Sequence, residues 1–376
     1  MKKYIALLLA FISGFVLLFP LLTSPPIDYR KIIREQKEPA WQGVIEVWLC
    51  ETFYPGSGSF YGWLRDSIKS FEKKNEGILI KLESVTPFVV EKALSSGEGL
   101  PDAVICGPGV IKNAGRLLPV SPGSAYKPFS DALVYLDTSC GMPIAAGGYT
   151  IIADKSLLEG FSGDISMLAS EKTPALSCPQ SEYISYSLGL VSMLEIDYED
   201  CAHFSKSIFR RSVSDAWADF VLDKKSAAYA CTQKEVYRMR KLEAGGSAFP
   251  WQGLGLAGDF TDQLLAMYIT DTKKHDSQSR ADVLLSFGEF LQSEKIQAGL
   301  KDIGAFSINT ALPLYDEGTV MRSIEDKLMS SDLTVPNMFS WSEQLKEIRS
   351  SEAGGADTAD TIASLKAVLD KLRDLR

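Results

Sequence analysis

The sequence predicts an α/β protein built from two units, and three observations point there. Between residues 43 and 108, apolar strand-like runs alternate with stretches of helical periodicity. The same alternation resumes after residue 141. A chain of 376 residues with 45% hydrophobic content also has enough apolar material for about two domains, each with its own buried core.

The first strand is the run Val44-Ile45-Glu46-Val47-Trp48-Leu49, which passes through Cys50, Glu51, Phe53 and Tyr54 into a Pro55-Gly56 turn. Strand exits of open α/β sheets line ligand crevices, because the loops there rest on rigid strands. In "SFYGWLRDSIKSFEKKN", Phe60, Leu64, Ile68 and Phe71 recur at helical spacing, and "GILIKLES" alternates as a strand, which completes a β-α-β unit. "TPFVVEKALSSGEG" reads as a helix and "LPDAVICGPG" as a buried strand running into a Gly-Pro-Gly turn. A parallel, doubly wound sheet is the expected arrangement. The second unit opens with "GMPIAAGGYTIIADKSLLEGF", and both "TPALSCPQSEYISYSLGLVSML" and "SAAYACTQKEVYRMRKL" read as a strand leading into a helix. One long helix is expected over about residues 279–300, and "DTADTIASLKAVLDKLRDL" near the C-terminus carries Ile362, Leu365, Val368, Leu369 and Leu372 on one face.

The first 24 residues have a short basic head, Lys2 and Lys3, and an uncharged run from Tyr4 to Leu22. This is an export signal or an N-terminal anchor: the run is longer than a usual signal core, and Pro25 and Pro26 follow Ser24 where a peptidase would cut. Residues 25–41 are Pro-rich and charged, as in a tether. The protein is therefore expected outside the cytoplasm, held to the membrane through this segment. The first cysteine is Cys50, too far along to carry a lipid after export.

A net charge of −9 without a Lys/Arg run argues against nucleic-acid binding. The six cysteines, Cys50, Cys106, Cys140, Cys178, Cys201 and Cys231, form no C-x-x-C pair, so no metal site is expected. Disulfides are permitted in an exported chain, and burial as small apolar thiols is the competing reading. In a doubly wound sheet the strands ending in Cys50 and Cys106 are expected to be neighbours, giving proximity more than a bond. His203 and His275 lack nucleophile or ligand spacing, and Glu199–Asp200 reads as a solvated pair rather than a glycosidase dyad. No G-x-S-x-G, Walker or H-E-x-x-H pattern occurs, so neither an enzyme nor a cofactor is expected.

The order of "IEVWLCETF", "WLRDSIKSFEKKNEGILIKLES", "LPDAVI", "MPIAAGGYTIIADKSLLEG", "FVLDKKSAAYACTQ" and "SFGEFLQSEKIQAGLKDIGAFSINTAL" resembles bacterial extracellular solute-binding proteins of the carbohydrate type, the maltose-binding-like receptors of ABC importers. The resemblance covers nearly the whole chain after the tether. It departs at Ala153-Asp154-Lys155-Ser156, where the family often has Tyr-Asn-Lys-Asp, and in having no lipidation cysteine. It implies the periplasmic-binding-protein-like fold, two α/β lobes joined by crossing hinge segments with a ligand cleft between them. The N-lobe is placed at 42–143 plus 263–308 and the C-lobe at 144–262 plus 309–376. The implied function is a monomeric extracytoplasmic receptor that delivers a sugar or oligosaccharide to ABC permease subunits. A membrane-tethered sensor or scaffold with the same fold is the alternative.

A sugar pocket needs flat apolar faces for C–H surfaces and polar groups for hydroxyls. Glu51, Phe53 and Tyr54 are the expected first-lobe wall, facing Tyr183, Thr232, Gln233 and Trp251 from the second; Trp48 and Trp63 are expected in the core.

Overall fold

The computed structural model describes residues 41–157, 176–179, 188–189, 192–193, 208–274, 276–309, 311–346 and 366–373. The signal or anchor segment and nearly all of the tether lie outside them, as do Tyr183, Glu199–Asp200, Cys201, His203 and His275. No helix among the described residues is long and apolar enough to cross a membrane. The described residues from Gly43 onward belong to one compact unit.

The first unit of sequence folds as predicted through β1 (Gly43–Cys50), α1 (Phe60–Glu72), β2 (Ile78–Ser84), α2 (Pro87–Ser96) and β3 (Ala103–Cys106). Helix α1 starts where the Ser59 side chain accepts the Gly62 N–H at 3.1 Å. It buries Phe60, Trp63, Leu64, Ile68 and Phe71, each large apolar side chain contributing about 1.5–3 kcal/mol. A short helix α3 (Lys127–Asp131) and the hairpin β4 (Val134–Tyr135) and β5 (Thr138–Ser139) follow, then β6 (Met142–Ala146) and β7 (Tyr149–Asp154). Further along come β8 (Leu176–Pro179), β9 (Ile208–Arg211), α4 (Val213–Val221), β10 (Ala228–Thr232), α5 (Gln233–Ala244), β11 (Trp251–Ala257) and β12 (Leu264–Ile269).

These strands make two five-stranded sheets, β2-β1-β3-β12-β6 and β11-β7-β10-β8-β9. Both are mixed rather than all parallel. β1 runs parallel to β2 and β3, but β12 is antiparallel to β3 and β6. In the second sheet β7 is antiparallel to β10 and β11. The cause is the crossings: β7 and β12 enter directly from the other sheet, without a helical return that would force parallel pairing. The directions follow. β1, β3 and β6 end at the gap between the sheets, and so do β10 and β11, whereas β7 and β12 begin there.

The chain changes sheet at Gly147–Gly148, returns between Ala257 and Leu264, and leaves again after Phe306, whose backbone exchanges two hydrogen bonds with Ala146. β6 thus lies wholly in the first sheet, and the chain leaves that sheet at Gly147. The C-terminal part is also shared. Met338 donates its N–H to Ala132 O at 2.9 Å, and Phe339 packs its ring on Tyr135 and Tyr268, placing residues 337–341 on the first lobe.

The helix expected over 279–300 is three: α6 (Ser277–Gln292), α7 (Glu294–Ala298) and α8 (Leu300–Ile303). Ser293 breaks it, extended at φ −64° and ψ 144°, with its hydroxyl donating to Phe290 O. The last labelled helix, α9 (Val320–Leu328), packs on β11, where a side chain at Gly253 would overlap Val320.

Cys50 and Cys106 are registered partners in the parallel β1–β3 pair. Both are free thiols, as are Cys140 and Cys231, and all four are buried. Burial, reinforced by the nearby Glu51 carboxylate, pushes the Cys50 thiol up to about 11. The expected result is that neither Cys50 nor Cys106 is alkylated by iodoacetamide at pH 8 in the native protein, and that both are in denaturant. Peptide mass spectrometry reads this directly; rapid native labelling of either would contradict the packing.

Candidate functional site between the sheets

The exit of β1 splits its polar and aromatic residues between two tasks. Glu51 turns inward, its carboxylate accepting the Phe60 N–H at 2.9 Å over the first turn of α1. Phe53 also turns inward, only 7% exposed and edge-on to Phe60 with ring centroids 5.0 Å apart. Tyr54 remains 57% exposed. Of the three first-lobe residues expected at the cleft, only Tyr54 presents its ring there.

Opposite stands α5, which follows β10. Thr232 is its N-cap: the hydroxyl accepts the Lys234 N–H at 3.2 Å, and the Glu235 carboxylate accepts the Thr232 N–H at 3.0 Å. Thr232 is buried, its groups engaged in this capping box. Gln233 is fully buried at the crossings. Its side-chain oxygen accepts the Gly148 N–H at 2.9 Å, and its amide nitrogen donates to Gln263 at 2.9 Å and to Tyr54 O at 3.5 Å. Thr261 donates its hydroxyl to Gly147 O at 2.6 Å, and Gly147 donates its N–H to Gln263 O at 2.8 Å. Gln233 is thus tied to the two crossing segments and to the β1 exit.

Trp251 lies elsewhere. It opens β11 and pairs with Asp154, whereas Thr232 pairs with Tyr149. Those are opposite ends of β7, about 16 Å apart at about 3.3 Å per residue. The indole N–H of Trp251 is buried there without a hydrogen-bond partner among the described residues. The structure therefore brings Tyr54, Thr232 and Gln233 together, and leaves Trp251 at the far end of the second lobe.

The residues that sequence reading missed lie within the next two turns of α5. Lys234 places its ammonium 4.9 Å from the centre of the Tyr54 ring. Tyr237 donates its hydroxyl to Asp302 O at 3.2 Å, and Lys241 donates to the Ser57 hydroxyl at 2.6 Å. The loop they meet is held by Ser57 N–H donating to Ile303 O at 2.8 Å. A Cβ on Gly56 would overlap Tyr237, so this close approach needs a glycine. The spacing 234, 237, 241 is itself a legible signal, one helical face directly after a strand that ends at the gap.

Phe260, in the second crossing, packs between Tyr149 and Trp341, while Asp262 accepts from the Tyr149 hydroxyl at 2.7 Å and the Trp341 indole at 3.2 Å. Trp341 is 2% exposed, a part of this buried joint. No group of metal-ligating side chains occurs among the described residues. A cavity of about 590 Å³ lies on the first lobe near the far end of β12, lined by Glu91, Lys112, Arg116 and Lys273. It is remote from the strand exits.

No sequence family matches the chain, and no curated protein matches it. Solved structures do. The sugar-binding protein MalE from the phytopathogen Xanthomonas citri superposes with a TM-score of 0.61 at 16% identity, over 89% of this chain and 98% of that one. A maltodextrin-binding protein from L. casei gives 0.61 at 11% identity, over 89% and 99%. The maltose/maltodextrin-binding domain of Bdellovibrio bacteriovorus, bound to maltotriose, gives 0.55 at 14% identity, over 88% and 99%. The fold is that of the two-lobed, maltose-binding-like solute-binding proteins.

Proposed function

We propose that this protein is an extracytoplasmic receptor that binds a carbohydrate between its two lobes and hands it to an ABC importer. It acts as a monomer, without catalysis, tethered to the membrane through its N-terminal segment. One observation carries the reading: strand ends of both sheets converge on a single gap, where the exposed Tyr54 ring faces the first turns of α5. Solved neighbours of this fold are named as sugar-binding or maltodextrin-binding proteins, which supports a sugar as the ligand. Tyr54 supplies a flat face for C–H stacking, and the polar groups of α5 lie within reach of hydroxyls. Because Tyr237 and Gly56 are in close contact, the lobes must part before a ligand enters.

A thermal-shift screen of the full chain against mono- and oligosaccharides tests this, since a ligand at a hundredfold over Kd adds about 2.7 kcal/mol of stability. For the sugar found, Tyr54→Ala is expected to weaken binding at least tenfold, about 1.4 kcal/mol. Its ligand-free melting temperature should stay near that of the parent, because the ring is mostly exposed. Equal affinity in the variant would remove Tyr54 from the site, and no stabilisation by any sugar would remove the receptor reading.

A further inference from the structure

In a chain of net charge −9, helix α5 carries four cations, Lys234, Arg238, Arg240 and Lys241. The two acidic residues of the helix do little to offset them. Glu235 is buried in the capping box, and Glu243 sits at the last turn. Among the described residues no carboxylate forms an ion pair with any of the four. Three of them lie over aromatic rings instead: Lys234 over Tyr54 at 4.9 Å, Lys241 over Tyr237 at 5.1 Å, and Arg238 over Trp217 at 4.0 Å.

Elsewhere on the protein, buried carboxylates are matched by cations. Lys274 and Arg280 meet Asp102 at 2.8 and 2.9 Å, and Lys224 meets Asp154 at 2.8 Å. Two of the four α5 cations lie where the helix faces the first lobe. Lys234 and Lys241 are the two that reach across, one over the Tyr54 ring and the other to the Ser57 hydroxyl.

We infer that the carbohydrate taken by this site is acidic: a glycan bearing carboxylate or sulfate groups, with its ring on Tyr54 and its anionic substituents on Lys234 and Lys241. The inference rests on the receptor reading above and names its ligand class. A ring beside an ammonium suits such a ligand because the C–H face and the charge of an acidic sugar lie side by side. A neutral sugar would leave these ammonium groups without a counter-charge when the lobes close and exclude water.

The test is titration calorimetry on the full chain with a panel of oligosaccharides in three matched forms: uronic acid, its neutral methyl ester, and a sulfated neutral sugar. The expected result is at least tenfold tighter binding of one acidic form than of its neutral counterpart, weakening as salt rises. Carboxylate and sulfate arms show which anion is preferred. Lys234→Gln and Lys241→Gln are each expected to cut the affinity for the acidic form at least fivefold, and by a larger factor than for the neutral form. Lys112→Gln, on the remote first-lobe cavity, should change neither. Neutral glycans binding as tightly as acidic ones, or glutamine variants that keep the acid preference, would overturn the inference and leave the receptor standing. If no glycan of any kind binds, both fall.

Discussion

Replacing Gly147 with alanine is expected to destabilise the protein by about 2–3 kcal/mol. A Cβ at this position would overlap the side-chain amides of both Gln263 and Gln233. Neither amide has room to give. Gln233 is fully buried and holds the Gly148 N–H and Gln263, while Gln263 is buried and bonded through its backbone to Gly147 and Thr261. The added methyl therefore costs overpacking and a share of a buried polar network, whose unpaired groups cost about 1–3 kcal/mol each. Denaturant unfolding measures the loss. Gly62→Ala is the contrasting case: its new Cβ meets nothing nearer than the Ser59 hydroxyl at 3.5 Å, within a helix, and should be neutral or stabilising by up to about 1 kcal/mol. In the Gly147→Ala, Gln233→Ala double variant the two costs should not add, with a coupling of about 1 kcal/mol or more. Simple additivity would show that the amide and the glycine are independent.

How far the fold could be read from the sequence follows from what periodicity encodes. The strand through Val47 and the helix through Phe60, Leu64, Ile68 and Phe71 show themselves because burial on one face repeats at a fixed interval. Strand direction leaves no such mark. Nothing in "LLAMYI" says that β12 enters its sheet from the other lobe, so antiparallel pairing appears only with the topology. The same blindness displaced Trp251. An aromatic residue at a strand boundary looks alike at either end, yet Tyr54 follows a strand that ends at the gap while Trp251 begins one that runs toward it. Phe53 and Tyr54 show a finer limit. Adjacent rings in a loop have no period, and only the position of Phe60 decides which is buried. Thr232 and Gln233 were placed at the right element, because polar residues closing a buried strand before a helix have few positions available. Their side chains are occupied by capping and by the crossings.

Substituting Gly56 with valine is expected to hold the lobes apart in the absence of ligand. The Cβ of any residue at 56 would overlap Cβ and Cγ of Tyr237, and since Cβ is fixed to the backbone of α5, a rotamer change cannot clear the overlap. Either the 54–58 loop or the helix must retreat. The loop is anchored by Gly56 N–H to Gly304 O at 3.3 Å and Ser57 N–H to Ile303 O at 2.8 Å, both within the first lobe. Among the described residues, side-chain contacts tie the helix to the first lobe at Tyr54, Ser57 and Asp302, each worth about 1 kcal/mol. Those are the weaker attachments, so α5 moves, carrying the second lobe about its crossings. Small-angle scattering should then show a larger radius of gyration for Gly56→Val than for the parent, at nearly unchanged secondary structure. Tyr237→Gly removes both atoms that clash, at a helix-propensity cost of about 1 kcal/mol, and the double variant should recover much of the compact form. An unchanged radius in Gly56→Val, or an equally expanded double variant, would mean that this contact does not hold the lobes together.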